Sequence, residues 1–574
     1  MINSGPGLAF LRFTFWLILL PAGLFAQPQT FVNPIIPGAY PDPSICRAGD
    51  DYYLVNSSFE YFPGLPIHHS TDLVNWELIG YGLHREEQAS GAVNLVDVQQ
   101  DGGIHAPTIR YHEGTFYIIT TNVYSPPDPT QPAEMVNFII TAKNPAGPWS
   151  EPHVIDGAPG IDPDLFFDDD GKTYFVGTHA VGMPDENGIG EIWVQELDLI
   201  NWALKGERHS VWRGACGGCC VEGPHMYKEH GKYYLMVAEG GTSYNHAVMI
   251  AASEAITGPF ESNPRNPILT SRHLSKKNWL NSTGHADLVQ LQDGRWYMVA
   301  LSIRNEQEGR SNMGRETHLI PVTWEPATIR WEEVSEGVWE PLDYLWPVAA
   351  PETGKVERFT PLPFPDRPQY ANDGFYDDFS TSSLGLEWNF RRVPRENAYS
   401  INPKEGRLRL MLRPEVIDKR QRCSLMGFRQ KESDFEFAAS MDFQPQKELE
   451  EAGISLFQKD DNYLRFTLIR EEQGITLQLA VKERDEAVRT IHKIILNDYR
   501  GNIQFKVVSK DEEYQYLFSV DRGNTFTKFA QTSAHLLLSN GYTGAYLGMY
   551  ASSNGQPTGQ HADFDWVHYK GYSN

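Results

Sequence analysis

The chain has 574 residues, more than one hydrophobic core usually serves, so at least two domains are expected. Its formal charge of −25 argues against nucleic acid or anionic membrane as partner, because both require clustered Lys and Arg. Five cysteines are too few for a disulfide scaffold.

The N-terminus carries Arg12, an apolar run from Phe13 to Leu20 and then PAGLFAQ, the pattern of a secretory signal over residues 1–26 cut after Ala26. That run is too short to span a bilayer comfortably, so no membrane insertion is expected. No Cys follows it to carry a lipid. Export to periplasm or medium is the expectation.

From Asp42 to Val299 one short pattern recurs five times: DPSICRAGDDYYLV, APTIRYHEGTFYII, DPDLFFDDDGKTYFV, GPHMYKEHGKYYLMV and ADLVQLQDGRWYMV, beginning at Asp42, Ala106, Asp162, Gly223 and Ala286. Each copy has a Pro (Asp287 in the fifth), an apolar run, a turn usually carrying Gly and an aromatic pair before further apolar residues. That is a hairpin. Hairpins recurring about every sixty residues match the inner strands of propeller blades, each of which needs about 40 to 50 residues plus loops. Five blades are predicted over residues 27–345.

Innermost strands of a propeller converge on its axis, where ligands bind. Asp42 and Asp162 precede the reference Pro by one residue and Glu222 precedes it by two, so three acids from three blades face one funnel. His105 and His285 stand at the offset of Glu222 in the second and fifth copies. Just before Glu222, ACGGCCVEGP clusters Cys216, Cys219 and Cys220. Zinc would need a second spaced ligand pair that this segment lacks; buried thiols, or a Cys219–Cys220 disulfide after export, are the remaining readings.

Residues 346–371 are Pro-rich (DYLWPVAAPETG runs into them, FTPLPFPDRPQY lies within) and form a connector. Beyond it, GRLRLMLRP, FEFAASMDFQ, YLRFTLIRE, ITLQLAVKE, IQFKVVSK and YQYLFSVD alternate apolar and polar residues, which predicts an antiparallel β-sandwich over 372–574 in a supporting role. The fold class is therefore all-β, a five-bladed β-propeller followed by a sandwich.

Three carboxylates facing an uncharged ligand suit glycoside hydrolysis. Like charges push one pKa upward, leaving one acid protonated near neutrality while another stays a base. One protonates the departing oxygen, and the other activates water or attacks carbon. A polyhydroxylated, neutral oligosaccharide is the expected partner, and 14 Trp, 27 Tyr and 29 Phe suit packing against sugar rings.

Residues 31–345 resemble glycoside hydrolase family 43, especially its β-xylosidases and α-L-arabinofuranosidases. The matching text, in order, is NPIIPGAYPDPSI, FEYFPGLPIHHSTDLVNW, GGIHAPTIRYHEGTFY, IDPDLFFDDDGKTYF, VEGPHMYKEHGKYYLMVAEGG, NPRNPILT, TGHADLVQ and MGRET. From DGFYDDFSTSSLGLEWNF onward the chain is similar to the concanavalin-type sandwich attached to many of these enzymes. The resemblance implies an exo-acting, inverting enzyme. Asp42 would be the general base, Asp162 the acid that tunes and orients the proton donor, and Glu222 the general acid. Arg315 in MGRET would bind sugar hydroxyls, and His285 in TGHAD would be the axial histidine, either a satisfied core group or a ligand, directly or through water, of a cation on the axis for which calcium suits best. No cofactor is required for the chemistry. His105 stands where many relatives have a Trp that walls the sugar; the change either alters the subsite or is compensated by another aromatic such as Phe62 or Tyr61, so His105 and Phe62 join Arg315 as substrate-binding candidates.

Two alternatives keep the fold: a non-catalytic sugar-binding propeller, and an endo-acting arabinanase. A retaining invertase-type hydrolase would carry its nucleophile in Asn-Asp-Pro-Asn and its acid in Glu-Cys, whereas this chain has PDPS and EGP. Xylose versus arabinofuranose, the parent polysaccharide and the oligomeric state stay open at this level.

Overall fold

A computed structural model describes the chain apart from residues 2–28, 181–189, 216–218, 308, 372–373, 403, 540 and 573–574. Nearly all of the expected signal, and Cys216, lie outside the described residues. The regular elements of the described chain are all strands apart from two short 3₁₀ turns at Glu86–Ala89 and Ala534–Leu537.

Residues 44–349 form five successive antiparallel sheets, each with one of the five sequence copies on its edge strand: Ser44–Ala48, Gly103–His112, Ile161–Phe167, Glu222–Glu229 and Leu280–Gln290. These edge strands contact one another in the cycle first, second, third, fourth, fifth, first, so they are the inner strands of a closed propeller. They are largely buried on both faces because they pack against neighbours on both sides; in Leu280–Gln290 every residue but the last is buried, polar ones included. Side chains close the ring between the first and fifth sheets. Asp287 accepts hydrogen bonds from Ser44 Oγ (2.7 Å) and Ile45 N (3.0 Å).

Four inner strands break register at the copied motif, between His105 and Thr108, Ile161 and Asp164, Glu222 and His225, and Gly284 and Ala286. Three of these breaks contain the motif proline, which has no N–H to offer a ladder. Asp42, Ala106, Asp162, Gly223 and His285 all have positive φ, from 37° to 57°. Such bulges bend a strand and re-aim its side chains. The repeat therefore encodes a bend that turns acids and histidines toward the axis.

The sandwich consists of two eight-stranded sheets. Alternation sets its core: in Asn502–Lys510, Ile503, Phe505 and Val507 are fully buried, and they pack with Phe437 and Tyr516 of the neighbouring strands and Phe466 of the opposite sheet. Burial of each such side chain contributes about 1.5–3 kcal/mol. One of the two sheets takes its outermost strand from the propeller, because Tyr61–Phe62 pairs with Asn389–Arg391. The sequence, whose Pro-rich connector favours a sandwich docked on the propeller and closing one side of the pocket, does not reveal this shared strand.

Fully buried cations seal the junction. Arg391 lies between Glu60 (3.3 Å) and Asp460 (2.9 Å), and Arg392 binds Asp460 (2.6 Å) and the carbonyl of Val98 (2.7 Å). Arg429 donates to the carbonyl of Ala39 at 2.8 Å. The fifth sheet runs to Ala349, past the expected boundary at residue 345. The connector is strapped down: Phe359–Pro361 pairs with Thr30–Val32, and Arg367 donates to the carbonyl of Thr71.

Candidate active site

Asp42, Asp162 and Glu222 come from the inner ends of the first, third and fourth sheets. Asp42 is 6% exposed; Ser57 Oγ donates to its Oδ2 at 2.6 Å and accepts from Ala106 N at 2.7 Å. Arg315 Nη1 lies 4.0 Å and His285 Nδ1 3.9 Å from Asp42 Oδ1. Burial alone would raise the Asp42 carboxyl, but His285, Arg315 and the Ser57 hydrogen bond outweigh it and hold the group below the usual carboxylate range.

Asp162 and Glu222 shift the other way. Burial, then the Glu222 and Asp42 charges, raises Asp162 well above its ordinary value. Burial pushes Glu222 up to about 7 against the pull of Arg315, with Asp42 adding to the rise. The pair thus keeps a proton far above the pH at which a free carboxyl loses it. Gly223 N donates to Asp162 Oδ2 at 3.1 Å, tying this acid to the backbone next to Glu222. Glu222 Oε1 is buried and has no hydrogen-bond partner among the described residues, and the same holds for Arg315 Nε.

His105 is brought to the same region. Its Nδ1 faces the carbonyl of Gly103 at 3.0 Å, its ring meets Phe59 edge-on at 4.9 Å, and burial lowers its pKa. Tyr542, from the sandwich, stacks on Phe59 at 5.5 Å and lies 4.8 Å from the Arg315 guanidinium carbon. The sequence reading missed Phe59 and Tyr542. Phe62, expected on the sugar wall, is instead 7% exposed in the strand shared with the sandwich and packs in the core of the first two sheets. The adjacent Tyr61 is fully buried and stacks on Tyr546 at 3.9 Å.

Below the acids, Arg110 bridges Asp164 (2.8 Å) and Asp287 (2.9 Å), joining the second, third and fifth inner strands. Tyr227 OH donates to Asp287 at 2.6 Å, and His225 Nδ1 lies 3.0 Å from Arg110 Nη2. Nothing in the sequence singled out Arg110 or Asp164; both stand inside recognised copies but away from the motif start.

His285 stands at the inner end of the fifth sheet, 3.9 Å from Asp42. Among the described residues no three His, Cys, Asp or Glu side chains are placed to hold a metal. Arg110 and Arg315 already supply positive charge to the axial carboxylates. Burial lowers His285 to about 4, so its ring is neutral near pH 7 and its approach to Asp42 is a polar contact. The absent side chain of Gly223 makes room for it, since a Cβ there would lie 2.8 Å from His285 Cε1.

Residues 31–328 match the family model for glycosyl hydrolases family 43, and residues 376–570 match the β-xylosidase C-terminal concanavalin A-like domain. A xylosidase/arabinosidase of Butyrivibrio fibrisolvens is 39% identical over 552 residues, covering 93% of this chain and 98% of that protein. A non-reducing-end α-L-arabinofuranosidase of Bacteroides ovatus is 36% identical over 575 residues, 99% of both chains. Among solved structures, a family 43 protein of a Bacteroides ovatus xyloglucan locus superposes with a TM-score of 0.82 at 35% identity, covering 95% of this chain and 100% of that one. A xylan β-1,4-xylosidase of Bacillus halodurans gives 0.82 at 30%, covering 94% and 100%. The chain belongs to glycosyl hydrolase family 43.

Proposed function

We propose that the protein is an exo-acting, inverting glycosidase that removes terminal xylose or arabinofuranose from plant hemicellulose oligosaccharides. The observation that carries this reading is the opposite displacement of carboxyls on one axis: Asp42 held low, Asp162 and Glu222 raised. A sugar-binding protein has no use for that division, whereas an acid–base pair requires it.

In this reading Asp42 is ionised at neutral pH and takes a proton from the attacking water. Ser57 fixes one of its oxygens and leaves the other turned toward Arg315 and His285. Glu222 donates its proton to the departing oxygen, for which the unpartnered Oε1 is free. Asp162, through Gly223 N, holds the acid's backbone and keeps the pair protonated. Inversion demands about 6.5–9.5 Å between acid and base to admit the water. Arg315 offers its unpartnered Nε to sugar hydroxyls, and His105, Phe59 and Tyr542 form a wall, the last closing the site from the sandwich side. Water and proton transfer suffice, with no cofactor.

The names of the relatives support both terminal sugars, and the leader-like N-terminus supports export. A panel of 4-nitrophenyl glycosides with xylan, arabinan and xyloglucan oligosaccharides, followed by proton NMR, tests the proposal. A single released monosaccharide of inverted configuration is expected; retained configuration or internal cleavage would replace this reading.

A further inference from the structure

Of the four cysteines among the described residues, Cys46 and Cys423 are buried, and burial pushes the Cys423 thiol up to about 12 and that of Cys46 further still. They are shielded from reagents. Cys219 and Cys220 differ in exposure and placement: both are partly exposed and their Sγ atoms lie 2.7 Å apart, although burial and the Cys219 hydrogen bond push the Cys220 thiol up to about 12 as well. Neighbouring residues of an extended chain point to opposite faces. Here Cys220 has φ +64°, a left-handed conformation uncommon for a side-chain-bearing residue, and both sulfurs come to one side. Gly241 backs them, for a Cβ there would stand 3.8 and 3.9 Å from the two sulfurs, and Gly240 N donates to the Cys219 carbonyl at 3.0 Å. Val221, which follows, is buried and accepts from Thr178 Oγ1, and Glu222 is next.

We propose that Cys219 and Cys220 are a reversible thiol–disulfide modification site, closing a vicinal disulfide that sets the position of the segment carrying Glu222. The oxidant is a disulfide of low molecular weight or of an oxidoreductase. Cys219 as thiolate attacks one reagent sulfur, releasing the first reagent thiolate and forming a mixed disulfide. Cys220 then loses its proton and attacks Cys219 Sγ, releasing the second thiolate. Two electrons pass from the two cysteines to the reagent, whose thiolates take up the two protons. Adjacent Cα atoms are about 3.8 Å apart, closer than the roughly 4.4–6.8 Å of an ordinary disulfide, so the ring is strained. Strained disulfides are the readily reduced ones, which makes the site reversible.

The effect on turnover rests on Glu222 as proton donor; the bond does not. The full-length enzyme is treated with oxidised glutathione or with dithiothreitol, alkylated and mapped by peptide mass spectrometry. The oxidised peptide is expected to lose the mass of two hydrogens, carry no glutathione and resist alkylation at both positions, and dithiothreitol restores both alkylations. Cys220→Ser should stop at a glutathione adduct on Cys219. The oxidised and reduced wild type should differ by about threefold or more in kcat/KM on an aryl glycoside, a difference absent from Cys219→Ser/Cys220→Ser. Two alkylatable thiols after oxidation, a persistent adduct on the wild type, or a bridge to Cys216 overturns the site. A bond with unchanged kcat/KM overturns its influence on turnover. An active Glu222→Gln enzyme would remove the catalytic reading while leaving the mass result standing.

Discussion

Gly223 N donates to Asp162 Oδ2 at 3.1 Å, so the third sheet's acid grips the backbone immediately after the fourth sheet's acid. The same glycine has φ +57° and leaves no room for a side chain beside His285. Gly223→Ala therefore meets two penalties, backbone strain of about 1–3 kcal/mol and a clash that must push either the His285 ring or the Glu222 segment aside. A lowered melting temperature and a drop in kcat/KM on the order of 100-fold, the scale of a 1 Å misplacement, are expected. Near wild-type values for both would show that the contact does not position the acid.

Glu222→Gln should abolish hydrolysis of oligosaccharides by a factor of about 10²–10⁴ and spare activated aryl glycosides in part, since a good leaving group needs less protonation. Asp42→Asn should lose both classes, because water activation is needed whatever departs. Stopped assays on both substrates check this. Equal losses on both substrates in Glu222→Gln would take the proton donor elsewhere.

The pH profile follows from the signs. Glu222 acts only while protonated, so kcat/KM should fall as pH rises through about 7. Asp42 acts only while ionised and is held low, so the acid limb should lie below the ordinary carboxylate range. Arg315 is the strongest influence opposing the rise of Glu222, and removing its charge favours the protonated form. Arg315→Gln should accordingly move the alkaline limb to higher pH while lowering kcat/KM. An alkaline limb that stays fixed would mean that another group titrates.

The three acids were legible because each opens a copy of a repeated hairpin, and the repeat's period carries both the blade count and the bend that aims them. Residues one or two turns away were not. Ser57 reaches Asp42 from the strand partner's far end, Arg110 gathers carboxylates from two other sheets, and Tyr542 arrives from the other domain. Phe62 illustrates the converse. Its position in FEYFPG suggested the sugar wall, but its partner is Phe390, and pairing across so long a separation leaves no local pattern. Phe59, three residues earlier, faces His105 instead.

Tyr542 gives the sandwich a hand in the site. Its ring covers Arg315 and stacks on Phe59, and its backbone N–H donates to Asp101 at 3.2 Å. A desolvated cation–π contact is worth about 1–2 kcal/mol, so Tyr542→Ala should lower kcat/KM about tenfold, mainly through KM, while Tyr542→Phe keeps most activity. Full activity in the Ala variant would leave the ring as filler at the domain junction.

Truncation after Pro368 tests whether the propeller stands alone. It would remove Arg391, Arg392 and Asp460, leaving Glu60 without its cation and Tyr61 and Phe62 without their strand partner. The truncation would also expose to water the aromatic surface of Tyr61 and Phe62, which is buried in the intact chain. Aggregation, or a soluble product with little activity, is therefore expected. Arg392→Ala isolates the electrostatic part in the intact chain, since it strips Asp460 of one of its two guanidinium partners and should lower the melting temperature without touching Tyr542 or Arg315. If the truncated propeller were soluble, equally heat-stable and fully active, the shared strand would be a docking contact between independent domains, and the wall at Tyr542 would have no part in turnover.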